Sequence, residues 1–270
     1  HGRSHRIFNT CQISEHVKDW LPAITVVIVL TTMSLLSSCS GEDKDSNQNP
    51  EVATPVKTSV PDAEEFDKKL LDVARNSAVS IRGSDCPRFQ FGSGFSLRNG
   101  LIVTNAHVVA GIENPLVTLL NSLGQAEEIE ARVLGFDPVT DLALLDIGTH
   151  EMEGFDLTEA IDGENVALVG YDRDGESDWR PGQIAQHIRA TGSDIYGNLG
   201  SGRDALVVSM DVDPGHSGSP LINSLGQVVG VTFSSVKGGS STAYAVQVNE
   251  LISFVDNFSK GSSTVVSECR

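Results

Sequence analysis

Short apolar runs separated by turn-forming residues constrain this chain more than any other feature of its sequence. Runs such as AVSIRG, NVALVGY and QVVGVTF are rich in Val, Ile and Phe and are divided by Gly, Asn, Asp and Ser. Because β-branched and aromatic residues favour strands, many short strands in one chain are typical of a sandwich or barrel. Asn99-Gly100 and the two copies of NSLGQ, at 121–125 and 223–227, predict hairpin turns between such strands. The sequence therefore predicts an all-β fold.

The ends of the β region and one break inside it predict the domain organisation. Residues 63–75 suit a short amphipathic helix, with Phe66, Leu70 and Val73 on one face, and a second helix is expected at 248–258. A polar, Gly-bearing segment at 148–163 divides the strands into two units, at about 77–150 and 163–247. Residues 63–270 are thus predicted to form one domain of two β units with a helix at each end.

The first 38 residues have the pattern of a removable leader. Residues 21–36 are apolar apart from Thr and Ser, a span that is short for a membrane helix but typical of a signal-peptide core. The L-S-S-C that follows resembles the lipobox of bacterial lipoproteins, which implies cleavage before Cys39 and lipid attachment to its sulfur. The alternative is a retained anchor helix in which Cys39 is incidental. Both alternatives place the body outside the cytoplasmic membrane, and the lipid anchor would make the membrane a partner.

The segment that follows Cys39 and the charge of the whole chain limit the partners. Residues 39–62 are polar, acidic and Pro-bearing, so they predict a flexible tether rather than a packed element. The chain carries a formal net charge of −17. Since phosphate backbones repel an acidic body, we expect no nucleic-acid partner.

Two cysteines remain in the predicted globular body, Cys86 near its start and Cys269 at its end. In an oxidising compartment two such thiols are expected to pair, and the alternative is two free thiols. No CxxC motif or pair of histidines accompanies them, so we expect neither a metal nor a cofactor.

Three short motifs carry the candidate chemistry. His107 lies in TNAHVV, Asp141 in DPVTDLALL and Ser217 in DPGHSGSPL. Each motif alone is consistent with an ordinary turn or strand end. Together they follow the order His, Asp, Ser, which is the order of the chymotrypsin-type triad and differs from those of subtilisins and α/β-hydrolases. The order predicts nucleophilic catalysis by Ser217.

These motifs resemble the trypsin-like proteases of the Deg/HtrA type. GQIAQHIRATGSDIYG and GQVVGVTF add a closer similarity to the periplasmic protease domain of the mycobacterial acid-resistance serine protease family, over residues 78–269. The resemblance implies a chymotrypsin-like fold of two six-stranded antiparallel β-barrels and a serine endopeptidase acting on cell-envelope proteins. His107 would be the general base, Asp141 would orient it, and the N–H groups of Gly215 and Ser217 would form the oxyanion hole.

The sequence departs from the family pattern at one position and leaves specificity open. His216 stands where these families usually have Asp or Asn, which raises the hypothesis of a pH-sensitive oxyanion loop. The resemblance places the S1 pocket at Phe233, Ser234 and Ser235, with Tyr244 near its base. Asp211 is either a pocket acid selecting a basic P1 residue or a strand-end residue, and the sequence does not decide between these roles.

Two other functions remain as alternatives. One is a catalytically inactive peptide-binding module on the same fold, and the other is an esterase, although the nucleophile-elbow pattern G-x-S-x-G is not met around Ser217. The short remainder after residue 258 predicts no PDZ domain in this chain. The expected partners are protein or peptide substrates, with the protein itself a monomer.

Overall fold

The computed structural model describes residues 60, 66–121, 123–150, 152–235, 241–258 and 265–270. The predicted leader at 1–38 and the lipid site at Cys39 lie outside the described residues, as does nearly all of the tether. Within the described residues, no helix has both the length and the apolar character needed to cross a membrane.

The first β unit is a seven-stranded antiparallel sheet that follows a short helix. Helix α1 (Lys68–Ser77) leads into the unit without a loop. The elements that follow are β1 (Ala78–Gly83), β2 (Gln90–Ser96), β3 (Leu101–Thr104), helix α2 (Ala106–Val109), β4 (Leu116–Leu120), β5 (Ala126–Glu130), β6 (Arg132–Asp137) and β7 (Leu142–Asp146). Hydrogen bonds arrange the strands in the order β5-β4-β1-β2-β3-β7-β6.

The second β unit is a closed six-stranded barrel, as predicted. Its strands are β8 (Asn165–Tyr171), β9 (Ser177–Ala190), β10 (Arg203–Ser209), β11 (Pro220–Ile222), β12 (Val228–Ser235) and β13 (Thr242–Gln247). They close in the order β10-β13-β12-β11-β8-β9, and helix α3 (Val248–Asp256) follows. The all-β, chymotrypsin-like fold class is therefore confirmed. The first unit differs from the predicted six strands because β5, an exposed Glu-rich strand, pairs with the outer side of β4.

The apolar core has one cluster in each unit and a third that joins them. Val79, Ile102 and Leu145 belong to the cluster of the first unit. The joining cluster contains Phe95 of β2 together with side chains from strands of the second barrel. Burial of this shared layer fixes the two units against each other, since separating them would expose a continuous apolar surface to water.

The predicted buried face of the first helix is partly wrong. Leu71 and Ala74 are the buried apolar residues of α1, whereas Val73 is 45% exposed. The helix begins later than expected because Asp67 caps it, its side chain accepting a hydrogen bond from the Lys69 N–H at 2.8 Å. Phe66 lies before the cap and is buried against Trp179 of the second barrel, with ring centres 6.3 Å apart, so it is not part of the helix face.

Both copies of NSLGQ form the same turn. The side-chain oxygen of Asn121 accepts hydrogen bonds from the N–H groups of Leu123 and Gln125, each at 3.0 Å. The side chain of Asn223 does the same for the residues at 225 and 227, again at 3.0 Å. A short amide side chain can satisfy a turn's own backbone, which explains why an identical pentapeptide serves two hairpins.

A disulfide joins Cys86 to Cys269, the pair expected from the sequence. It brings the chain terminus to the first unit, where the Ser267 hydroxyl accepts a hydrogen bond from the Gly111 N–H at 2.9 Å. The carbonyl of Val133 receives a further bond from the Val265 N–H at 2.9 Å. The tail therefore packs close to helix α2, which carries His107.

Candidate active site

His107 and Asp141 are joined by two hydrogen bonds. His107 Nδ1 lies 2.8 Å from Asp141 Oδ2, and the His107 backbone N–H donates to the other carboxylate oxygen at 2.9 Å. Asp141 is 3% exposed, whereas the side chain of His107 keeps 17% of its surface. Because a carboxylate only accepts, Nδ1 carries the ring proton and Nε2 is left as the basic nitrogen.

The loop before β7 explains how Asp141 reaches His107. Asp137 accepts hydrogen bonds from the backbone N–H and the hydroxyl of Thr140, so the loop folds back on itself. Asp141 then adopts a φ of 62°, the one positive value among the described residues other than glycine. Its carbonyl is held by the Asn105 side chain at 2.9 Å. Such a conformation costs roughly 1–3 kcal/mol and persists only where surrounding bonds enforce it.

Ser217 lies in a loop between β10 and β11 that is held by both β units. Its carbonyl accepts a hydrogen bond from the Ser93 N–H of β2 at 2.7 Å. The next residue, Gly218, donates to the Thr232 carbonyl of β12 at 2.8 Å. The nucleophile candidate is therefore fixed at the boundary between the two units.

Glycine at position 92 allows the His107 helix and the Ser217 loop to approach each other. A Cβ atom at Gly92 would lie 2.6 Å from the Val108 side chain and 2.9 Å from the Ser217 carbonyl oxygen. Val108, which follows His107, and the carbonyl of Ser217 thus both lie against Gly92. Among the described residues, no hydrogen bond joins the Ser217 hydroxyl to His107 Nε2, and such bonds often shorten only when substrate binds.

The predicted oxyanion donors are the backbone N–H groups of Gly215 and Ser217. Gly215 has a φ of 111°, and a Cβ atom there would lie 2.4 Å from the Asp172 backbone, so only glycine fits. Within the described part of the chain, neither of these two N–H groups donates to a protein acceptor. They remain available to an oxyanion.

Ser93 supports this loop and was missed by the sequence analysis. Its hydroxyl donates to the Gly215 carbonyl at 2.8 Å and accepts a hydrogen bond from the Tyr171 N–H at 2.9 Å. The side chain is fully buried. The available signal in the sequence was Ser93 itself, a polar residue at an inward position of the strand segment G-S-G-F. A hydroxyl buried there requires hydrogen-bond partners, which indicates a supporting contact.

His216 is completely buried beside the nucleophile candidate. Its Nδ1 accepts a hydrogen bond from the Asp213 N–H at 3.1 Å, so the proton of the neutral ring is on Nε2. That nitrogen lies 3.4 Å from Asp178 Oδ2, longer than an ordinary hydrogen bond, and has no hydrogen-bond partner among the described residues. Burial lowers the pKa of His216, although the nearby carboxylate of Asp178 opposes the shift. The neutral ring is the form that this site favours.

The residues predicted for the specificity pocket only partly converge. Phe233 and Tyr244 lie together, with ring centres 6.3 Å apart. Ser234 and Ser235 are exposed, and the residues after them, 236–240, lie outside the described part. Asp211 is exposed just beyond the end of β10, a position consistent with the strand-end alternative.

A model of the trypsin-like peptidase domain matches residues 92–231, slightly more than half of the chain. The chain belongs to the trypsin-like peptidase family. The match runs from Gly92 to Val231, so it contains all three motifs and Ser93, and it ends one residue before Thr232. The family resemblance inferred from the sequence is confirmed.

The relatives of this trypsin-like peptidase are named as serine proteases. It is 30% identical to the Mycobacterium tuberculosis serine protease Rv3671c over 246 residues, 89% of this chain and 59% of the relative. A probable periplasmic serine endoprotease, DegP-like, from Halomonas elongata is 28% identical over 67% of this chain and 38% of its own length. The chain thus spans less than two thirds of the curated relatives it matches.

The fold is also similar to solved structures. The active form of the Rv3671c protease superposes with a TM-score of 0.73 at 29% identity, covering 82% of this chain and 98% of that one. The structure titled Deg5 gives a TM-score of 0.58 at 25% identity, covering 73% of this chain and 95% of that one. The resemblance therefore extends to the whole solved protease domain.

Proposed function

We propose that this trypsin-like peptidase is a serine endopeptidase that cleaves proteins or peptides through an acyl-enzyme. The observation that carries the proposal is the buried Asp141 carboxylate bound to His107 Nδ1 at 2.8 Å. This bond leaves Nε2 as the base, which is the nitrogen that a serine nucleophile requires. Ser217 is supplied by a loop that contacts the same Gly92 as the His107 helix.

The mechanism follows from the residue types. His107 Nε2 takes the proton of the Ser217 hydroxyl as Oγ attacks the substrate carbonyl carbon. Asp141 stabilises the imidazolium that results, while the N–H groups of Gly215 and Ser217 bind the oxyanion. Collapse of the intermediate breaks the peptide bond, His107 gives the proton to the leaving amine, and water hydrolyses the ester by the same steps.

A fluorophosphonate probe and a casein assay test this proposal. We expect one equivalent of probe on Ser217 and casein cleavage, both lost in Ser217→Ala. Ser219→Ala is the matched control: this buried hydroxyl two residues away has no hydrogen-bond partner among the described residues, so its removal leaves both activities intact. Absence of labelling in the folded wild-type protein would refute the proposal and favour the inactive binding module. If Ser217 is labelled and a simple ester is hydrolysed but casein is not cleaved, the esterase alternative would be favoured.

We further propose an extracytoplasmic protein anchored by lipid at Cys39. Residues 1–38 would be the signal, 39–62 the tether and 63–270 the protease domain, with the cell envelope supplying the substrates. The name of the DegP-like relative includes a periplasmic location, and the disulfide suits an oxidising compartment. In a bacterial host, we expect the full chain in the membrane fraction and Cys39→Ala in the soluble fraction. Unchanged fractionation of the variant would exclude the lipid anchor.

We propose that the protein is a monomer. Light scattering of residues 63–270 measures the molar mass that tests this.

A further inference from the structure

Arg203, the first residue of β10, has no carboxylate partner among the described residues. Most arginines of the structure are neutralised, since each of the following has a carboxylate oxygen within 4 Å: Arg75, Arg82, Arg98, Arg132, Arg180 and Arg189. Within the described part of the chain, Arg203 makes no such pair, as is also true of Arg88, Arg173 and Arg270. On a protein with a net charge of −17, a guanidinium without a carboxylate partner belongs to a minority.

Arg203 is held in place by contacts that do not neutralise it. Its guanidinium carbon lies 4.3 Å from the centre of the Phe233 ring, a cation–π contact. One of its terminal nitrogens donates to the Val139 carbonyl at 3.0 Å. Because stacking and a single hydrogen bond fix the group, the other N–H donors of its fork are available to an acceptor without further ordering of the side chain.

These two contacts place the guanidinium between the two halves of the candidate active site. Phe233 directly follows Thr232, whose N–H and carbonyl bind the backbone of the Ser217 loop. Val139 lies in the loop that positions Asp141, two residues before it. Phe233 is also the predicted wall of the S1 pocket. The assignment of Phe233 to the S1 pocket would therefore place Arg203 on the side of Ser217 where residues that precede the scissile bond bind.

The acidic residues near Arg203 are already engaged. Asp204, its neighbour in sequence, pairs with Arg189 at 2.7 Å. Asp194 of the same hairpin turns its carboxylate inward, where it accepts hydrogen bonds from the backbone N–H groups of Tyr196 and Asn198, both at 2.9 Å. The other arginine stacked on a phenylalanine, Arg173 over Phe91, differs because its neighbours Asp172 and Asp174 are both acidic.

We propose that Arg203, stacked on Phe233, forms a subsite that selects an acidic side chain at P2 to P4 of the substrate. A carboxylate fits the free side of the guanidinium fork, which matches its two oxygens with paired N–H donors. The inference rests on the proposed endopeptidase function and adds a substrate class to it: segments with Asp or Glu before the cleaved bond.

Matched peptides test the subsite in the wild-type enzyme. Fluorogenic substrates that differ only as Asp against Asn, or Glu against Gln, are compared at P2, P3 and P4. We expect the acidic member to have a kcat/KM about five- to tenfold higher at one of these positions, the range of a partly exposed charge pair. The ratio falls as NaCl rises from low to high concentration, because salt screens an exposed pair. A ratio near one at all three positions would overturn the proposal.

Variants assign the preference to the residue. Arg203→Gln removes the charge, so the kcat/KM ratio of acidic to amide peptide is expected to fall close to one. Arg203→Lys is expected to keep part of this preference. Arg203→Glu is expected to favour Lys at the same substrate position. Arg132→Gln is the control, since it removes one exposed arginine charge from the first unit at a distance from Phe233. An acid preference that survives in Arg203→Gln, or is lost equally in Arg132→Gln, would contradict the assignment.

The fluorophosphonate reaction separates the two possible failures. If no peptide is cleaved and Ser217 is not labelled, the endopeptidase proposal fails and the subsite with it. If peptides are cleaved and Ser217 is labelled but no acid preference exists, only the subsite proposal fails. Should Arg203→Gln not fold, the wild-type salt series and Arg203→Lys still decide the question.

Discussion

Replacing Ser93 by alanine would test whether the first β unit holds the oxyanion loop of the second. The Ser93 hydroxyl is the direct side-chain link from β2 to Gly215, and it also satisfies the Tyr171 N–H. Alanine keeps the volume of the side chain close to the original, so no large cavity forms. The substitution therefore removes hydrogen bonds with little change in packing.

The expected magnitude follows from the groups left without partners. The Tyr171 N–H and the Gly215 carbonyl are both buried, and an unsatisfied buried polar group costs about 1–3 kcal/mol. Since some relaxation will occur, we expect the free energy of unfolding to fall by about 2–4 kcal/mol. The released Gly215 carbonyl belongs to the peptide that follows the Gly215 N–H. Its release loosens the glycine that carries one proposed oxyanion donor, so kcat should fall about 10- to 100-fold, less than for complete loss of a donor.

Urea unfolding and hydrolysis of a cleaved peptide measure the two effects. Ser96→Ala is the matched control, because Ser96 is an equally buried serine of β2 whose hydroxyl, among the described residues, hydrogen-bonds only to the Leu97 carbonyl, at 3.2 Å. We expect the control to keep wild-type kcat. Wild-type kcat in Ser93→Ala, or an equal loss in both variants, would refute the supporting role.

Two further predictions concern acid and reduction. Burial lowers the pKa of His216 below its unfolded value of about 6.5, so the unfolded state binds a proton first and the free energy of unfolding falls as pH decreases below that value. In urea titrations, His216→Asn should therefore lose less free energy of unfolding than the wild type between pH 7.5 and pH 5. An equal decrease in both proteins would exclude His216 as the cause. If the variant kept the pH–activity profile of the wild type, the hypothesis of a pH-sensitive oxyanion loop would be dismissed. The disulfide closes a span of 183 residues, for which loop entropy predicts a stabilisation of about 5 kcal/mol. The Cys86→Ser/Cys269→Ser double variant should lose up to this amount in urea unfolding, and an unchanged midpoint would show that the bond does not stabilise the native state.

The strand content and the order of the motifs could be read from the sequence because both depend on local patterns. Asn99-Gly100 and the two NSLGQ segments encode their turns in their own side chains, and the structure has hairpins at all three. The buried face of α1 was read incorrectly because it depends on how the helix packs against the β units, which is a tertiary property. Leu71 and Ala74 are buried, whereas Val73 is 45% exposed.

The support of the candidate site was not predictable from the sequence, because it arises from contacts between distant segments. Nothing near Ser93 indicates that its hydroxyl meets Gly215, which is 122 positions away. His216 is completely buried only in the folded chain, and this burial lowers its pKa against the opposing effect of the Asp178 carboxylate. The guanidinium of Arg203 is placed by a ring on β12 and a carbonyl of the first unit.

The sequence by itself determined the fold class, the family and the candidates for a His–Asp–Ser triad, because periodicity and short motifs are local properties of a chain. The tertiary structure alone decided which backbone groups hold the Ser217 loop, which tautomer Asp141 imposes on His107, and which ring and carbonyl hold the Arg203 guanidinium. These outcomes depend on distances and burial between segments far apart in the sequence. They are set when the two β units pack against each other and exclude water from the layer between them.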